Sequence, residues 1–486
     1  MSPFTPDNIG EIFGSDAADT EDAARLYTFF ISNDSYHNVR APNPICLVVG
    51  QKGIGKTALM RVSALDDQRN RFPSIFIRGS RILAAAEAGG SGSATIGKFR
   101  TVIEDALLSQ VAEGIAKEAA SALKVPEGVG SFLGRLTALG TSIATSQNEA
   151  LKNAAAKASP WLLDKIPAVN VYIDDTDVDW DGSKAAASQV NRLIQSCFQI
   201  SADSDGDVRF KISIRSDLFN SLSVTSDIID KVQSGVVRVR WTVDEIFRVI
   251  AKRIAIYEGR EYDDEEVDRL PQEAVFQRFF TPYFEERFRY AGAWENAPMR
   301  QVLLSFVRQR PRDLIGLCRL AAKEAESSGT IIDTRALHDV IPIYCQNRFN
   351  DTVVEFSNEL PDVQKLLNEM RPSDRKDNKK ATSIKKHYYT HDQLIAKINA
   401  IKGNLSLRFS YANVPASSAE LAEFLFRINF LVASRTDSNG FVERMYYDFA
   451  DRRLREVRLG QWDWEVHMAY RWAIQRDSDA VWKELN

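Results

Sequence analysis

Cysteine is scarce in this chain: four residues, Cys46, Cys197, Cys318 and Cys345, stand far apart among 486 and never in C-x-x-C spacing. That scarcity excludes a disulfide framework and argues against a zinc site, so buried free thiols in a reducing compartment are expected. Long apolar runs are missing too, and no segment approaches the roughly 18 uninterrupted apolar residues of a membrane span. Neither sign of charge prevails, with 62 Lys and Arg against 66 Asp and Glu for a net of -4. Nothing global therefore calls for nucleic acid or an anionic membrane, and either would have to be met by a local patch. A basic leader is also absent. The first 30 residues carry Asp7, Glu11, Asp16, Asp19, Glu21 and Asp22 against Arg25 alone, the reverse of a secretory signal. Together these absences predict a cytoplasmic, soluble protein that enters no membrane. No internal repeat is found, and the length suggests two to four domains at about 150 residues each.

Against this background one stretch stands out. An apolar run, Ile45 to Val49, leads directly into Gly50-Gln51-Lys52-Gly53-Ile54-Gly55-Lys56-Thr57 and Ala58, a complete G-x-x-x-x-G-K-[ST] loop between a strand and a helix. Its glycines let backbone amides curl around nucleotide phosphates, Lys56 sets a cation against them, and Thr57 offers its hydroxyl to Mg²⁺. ATP and Mg²⁺ are thus the expected ligands, and Gly50 through Ala58 the expected nucleotide-binding residues.

A second β-type run, Val169 to Ile173, ends in Asp174 and Asp175 and has the form of a Walker B element. Asp174 would hold the metal, and Asp175 would polarise the attacking water as general base. Beyond it, Asp177-x-Asp179-x-Asp181-Gly182 imitates the opening of a calcium loop, but Ser188 stands where a bidentate Glu is required, so helix capping is the better reading. A further strand, Val208 to Ile214, runs into Arg215. Strand ends of open parallel sheets face the ligand crevice, so Arg215 either contacts the γ-phosphate or pairs with the local carboxylates. Other strands are expected at Ser74 to Arg78 and Gly235 to Trp241, and a helix over Asp16 to Asn33.

From Tyr262 onward strand signals stop, and helices are predicted after Thr242, from Pro311 and from Thr334. Arg312 follows Arg310-Pro311 at a helix start, where it either reaches back to the nucleotide or is an ordinary surface arginine. Arg371 to His387 holds seven Lys and Arg against two Asp. Within it Lys379, Lys380, Lys385 and Lys386 either meet DNA or RNA phosphates or form a solvated linker. An amphipathic segment, Ser417 to Ile428, precedes two β-type runs joined through Asn439-Gly440, the helix-then-hairpin order of a winged helix.

In this arrangement the chain resembles the AAA+/STAND branch of phosphate-loop ATPases, especially bacterial stand-alone forms and, more distantly, archaeal origin-recognition ATPases. The resemblance implies an α/β, three-layer P-loop NTPase core over 1–241, a helical lid over 242–330 and a helical, winged-helix-like region over 331–486. It implies a Mg²⁺-dependent ATPase switch that forms homo-oligomers. The second Walker B acid is Asp175 rather than Glu, which suits slow hydrolysis. Two roles stay open: a switch in a nucleic-acid-associated bacterial process such as antiviral defence, or a signalling ATPase whose winged helix meets a protein partner, with any effector acting in trans.

Overall fold

The computed structural model describes residues 2–14, 21–88, 95–107, 168–178, 180–290, 294–372, 387–436, 442–447, 459–475 and 481. Its contacts divide them into two units: residues 32–51 with 56–239, and residues 1–31 with 52–55 and 240–486.

The first unit is built on five strands, β1 (Ile45–Gly50), β2 (Ser74–Arg78), β3 (Val169–Asp174), β4 (Val208–Arg215) and β5 (Val236–Arg238). They lie in the order β2-β3-β4-β1-β5, and every pairing is parallel. All six residues of β1 and of β3 are buried, as expected for central strands covered on both faces. Alternation assigns the two faces. Ile45, Leu47, Val49, Val171, Ile173, Phe210 and Ile212 join one core with Leu193, Ile194 and Cys197 of the helix Lys184–Asp203. The intervening face meets the helix Lys56–Arg69, where Tyr172 Oη and Asn170 Nδ2 donate to Asp67 at 2.6 and 2.8 Å. Three layers result, the expected P-loop NTPase architecture.

The elements follow local signals closely. Ser183 caps the helix Lys184–Asp203, and Thr242 and Glu245 form a reciprocal capping box on Val243–Tyr257. The expected helix Asp16–Asn33 is shorter, Ala23–Phe29 behind an Asp22 cap; Asn33 then caps a separate helix, Asp34–Arg40. The fifth strand, expected over Gly235 to Trp241, is confined to three residues at the sheet edge. Residues 126–159, the Ala/Gly/Ser-rich stretch, lie outside the described residues.

The second unit is mainly helical. Its long helices are Val243–Tyr257, Pro311–Ser328 and Thr334–Phe356. Strand signals do not stop at Tyr262: β6 (Arg287–Arg289) pairs antiparallel with β7 (Glu295–Pro298). These strands are too short and bulged to produce an alternating pattern in the sequence. A four-stranded sheet, β8 (Tyr388–Tyr389), β9 (Leu431–Thr436), β10 (Val442–Met445) and β11 (Asp463–Val466), has the order β10-β9-β11-β8. The helix Ser418–Arg427 leads directly into the β9–β10 hairpin, in the predicted order, although residues 437–441, with the Asn-Gly pair, are not described. Phe424, Leu425, Leu431, Trp464 and Tyr470 fill this region's core. Among the described residues no helix is long and apolar enough to cross a membrane.

His467 is buried at the N-cap of the helix Met468–Ile474. Its Nδ1 accepts from Ala469 N at 3.1 Å, which leaves Nε2 to donate to the Val307 carbonyl at 3.2 Å. Burial, with Arg308 nearby, depresses its pKa from 6.5 to about 3. The folded chain therefore refuses a proton that the unfolded chain accepts below 6.5, and stability falls as pH drops toward 3, by at most about 1.4 kcal/mol per pH unit. In urea titrations the stability advantage of wild type over His467→Asn should shrink steadily from pH 6.5 to 4.5; a constant difference would show that His467 does not control this window.

Candidate functional site

The loop after β1 turns on its glycines. Gly53 and Gly55 have φ of +78° and +101°, left-handed values that side chains disfavour. Lys56 Nζ donates to the Gly50 and Gln51 carbonyls at 3.0 and 3.3 Å, so the ammonium spans the loop. Trp241 Nε1 donates to the Ile54 carbonyl at 2.7 Å. The helix begins at Lys56, so its unpaired first-turn amides, including those of Thr57 and Ala58, add to an anion-binding end.

At the same carboxyl edge of the sheet, register aligns Gly50 with Arg215 and Arg78 with Asp174. Asp174 is 3% exposed, and the Ser213 hydroxyl donates to its Oδ1, which fixes the carboxylate's orientation. Asp175 has φ of +58°, the left-handed region that costs a non-glycine residue about 1 kcal/mol or more. Thr176 Oγ1 donates to the Ser213 carbonyl at 2.6 Å. Only glycine suits position 79, because a Cβ there would lie 2.7 Å from Thr176 Cγ2.

Arg215 sits in a bidentate pair with Asp217, Nε to Oδ1 at 3.0 Å and Nη2 to Oδ2 at 2.9 Å, with Asp177 at 3.7 Å. Trp180 Nε1 also donates to Asp217, at 2.8 Å. The local-carboxylate alternative thus describes Arg215 as it stands. Asp181 caps toward Ser183, whose backbone donates to it at 2.8 Å, while Asp179 is not described.

In the helical unit, Glu355 Oε1 accepts from Lys52 N at 2.9 Å, and Arg310 Nη1 donates both to the Lys52 carbonyl at 2.9 Å and to Glu355 Oε2 at 3.0 Å. Arg312 lies against Gly53, its Cδ 3.2 Å from where a Cβ would stand. Lys379, Lys380, Lys385 and Lys386 are outside the described residues. Sequence reasoning missed Glu355, Asp217, Ser213 and Trp241. Only Asp217 and Ser213, beside a singled-out Arg215, carried a local signal; Glu355 lies 303 residues from Lys52.

If the strain at Asp175 is intrinsic to its backbone, Asp175→Gly should raise unfolding stability by up to about 1 kcal/mol in nucleotide-free protein. Urea unfolding checks this, and a destabilised variant would mean that the carboxylate supports the fold.

Residues 11–79, the span holding the phosphate-binding loop, match the model of a family described as ORC-CDC6-like. No curated protein matches the chain. Solved structures of low identity are similar to it. They include the ORC2 protein of Aeropyrum pernix in ADPNP–ADP complexes (9% identity, 91% of this chain and 95% of that one, TM-score 0.33). Cdc6p of Pyrobaculum aerophilum (11%, 98% and 98%, 0.30) is another, as is domain III of the replication initiator DnaA of Thermotoga maritima (12%, 64% and 92%, 0.31). The family model agrees with the resemblance drawn from the motifs over the span it matches: residues 11–79 are similar to ORC-CDC6-like proteins.

Proposed function

We propose that this protein is an ATP-binding, slowly hydrolysing AAA+/STAND-type switch. It would oligomerise and act in a nucleic-acid-associated process such as genome maintenance or antiviral defence. The observation that carries the reading is the loop itself: it turns on left-handed Gly53 and Gly55, and Lys56 is held across it by the Gly50 and Gln51 carbonyls. In this reading Gly50 to Ala58 bind the phosphates and Arg312, which pairs with no carboxylate among the described residues, adds a cation beside Gly53. Thr57 and Asp174 are hard oxygen donors that suit Mg²⁺, an ion that takes few protein ligands and completes its shell with water and phosphate oxygens. Bound there it would neutralise charge on the transferring phosphoryl group. Asp175 would orient and deprotonate the attacking water, and Arg215, positioned by Asp217, would meet the γ-phosphate. The division into a core over 1–241, a lid over 242–330 and a winged-helix-like region over 331–486 is part of this proposal.

One observation favours the second reading, a protein partner for the winged-helix-like region. The helix preceding a winged-helix hairpin is the one placed in a DNA groove. Here the exposed and half-exposed positions of Ser418–Arg427 are Ser418, Ala419, Glu420 and Glu423, none of them basic. Its single cation, Arg427, is buried against Glu359 at 3.1 Å. Nucleic acid, if bound, would therefore be met by the basic segment rather than by this helix.

Lys56→Ala should abolish binding of a fluorescent ATP analogue without unfolding the protein, and Asp175→Asn should leave binding intact while slowing turnover about 10²-fold or more. Near-wild-type affinity in Lys56→Ala would remove the nucleotide assignment.

Nucleic-acid binding should weaken steeply with salt, and replacing Lys379, Lys380, Lys385 and Lys386 with Ala should flatten that dependence. Absence of any complex at low salt, with nucleotide present, would select the protein-partner reading.

A further inference from the structure

We infer that Glu355, backed by Arg310, is a positioning residue of the phosphate-binding loop, holding the backbone on both sides of Lys52 so that the loop keeps its shape for the phosphates of an ATP-class nucleotide. The inference rests on the nucleotide reading above and deepens it.

Three groups form a closed ring. Glu355 Oε1 accepts from the Lys52 amide, Glu355 Oε2 accepts from Arg310 Nη1, and the same Nη1 donates to the Lys52 carbonyl, with all three contacts between 2.9 and 3.0 Å. The two peptide units that flank the Lys52 Cα are thus both held, one through its N–H and the other through its carbonyl, so rotating either breaks a hydrogen bond. The Arg310 and Glu355 side chains are only 4% and 3% exposed, so a charge left unpaired in the ring is costly. The constraint falls where the chain is least constrained by itself, since Gly50, Gly53 and Gly55 surround Lys52 and glycine loses the most freedom on ordering. A loop ordered in advance leaves less for the nucleotide to order on binding.

The charge balance fits the same role. A lone carboxylate beside an anion site would repel phosphate, but Arg310 neutralises Glu355. A cavity of about 160 Å³ there is lined by Lys52, Gly53, Arg310, Arg312, Arg348 and Glu355 among others, so cations predominate around it. The helix Thr334–Phe356 that supplies Glu355 is itself fixed one and two turns earlier, where Thr352 accepts from Arg308 at 2.8 Å and Arg348 donates to Asp313 at 3.0 Å.

The test uses the full chain and a fluorescent, non-hydrolysable ATP analogue, with thermal unfolding of the nucleotide-free protein in parallel. Glu355→Ala should weaken analogue binding tenfold or more, and Glu355→Gln, which keeps an acceptor for the Lys52 amide, should recover most of it. Glu359→Ala breaks a comparable buried pair with Arg427; it should cost similar thermal stability and leave affinity unchanged. Should Glu355→Ala fail to fold, Arg310→Gln, which removes the same ring from the other side, should show the tenfold loss. Wild-type affinity in whichever of these two variants folds, or an equal loss in Glu359→Ala, would overturn the inference. Wild-type protein that binds no analogue would instead overturn the nucleotide reading beneath it.

Discussion

Asp313 is a carboxylate taken almost wholly out of water, 1% exposed, and the helical unit is arranged around keeping it charged. Burial opposes the charge, yet Arg308, in a bidentate pair at 2.8 and 2.9 Å, and Arg348 at 3.0 Å hold its carboxyl far below the usual range. Removing one partner from such a cluster leaves an uncompensated charge, which is strongly destabilising. The cluster therefore ties its members' elements together. Asp313 stands in the first turn of Pro311–Ser328, Arg348 and Thr352 on Thr334–Phe356, and Tyr470, which accepts from Arg308 at 3.0 Å, on Met468–Ile474. Arg310 and Glu355, the two residues that hold Lys52, extend from the same helix ends.

In the sheet unit the constraint is topological. Parallel strands buried on both faces carry their chemistry at the carboxyl edge, where side chains and amides are released from the ladder. Placing β4 between β1 and β3 brings Arg215 beside Gly50 and Ser213 beside Asp174. The turn at Asp175 leaves the ladder through a left-handed residue, at a cost that β3 and the close packing of Gly79 against Thr176 sustain.

Much of this was legible beforehand. The strand-loop-helix of Ile45 to Thr57, the paired acids after Val169 and the capping box at Thr242 depend on residues within a few positions of one another, so spacing alone determined them. The two β-type runs flanking Asn439-Gly440 likewise located the hairpin. Tertiary structure decided the rest. The strands β6, β8 and β11 are two to four residues long and form only because partners elsewhere complete their hydrogen bonds. The commitment of Arg215 to Asp217, the acidic outer face of Ser418–Arg427 and the ring that joins Lys52 to Arg310 and Glu355 are choices between partners. A sequence states which charges exist, but which of them meet is settled by burial, where an unpaired charge or amide costs most and distance along the chain no longer matters.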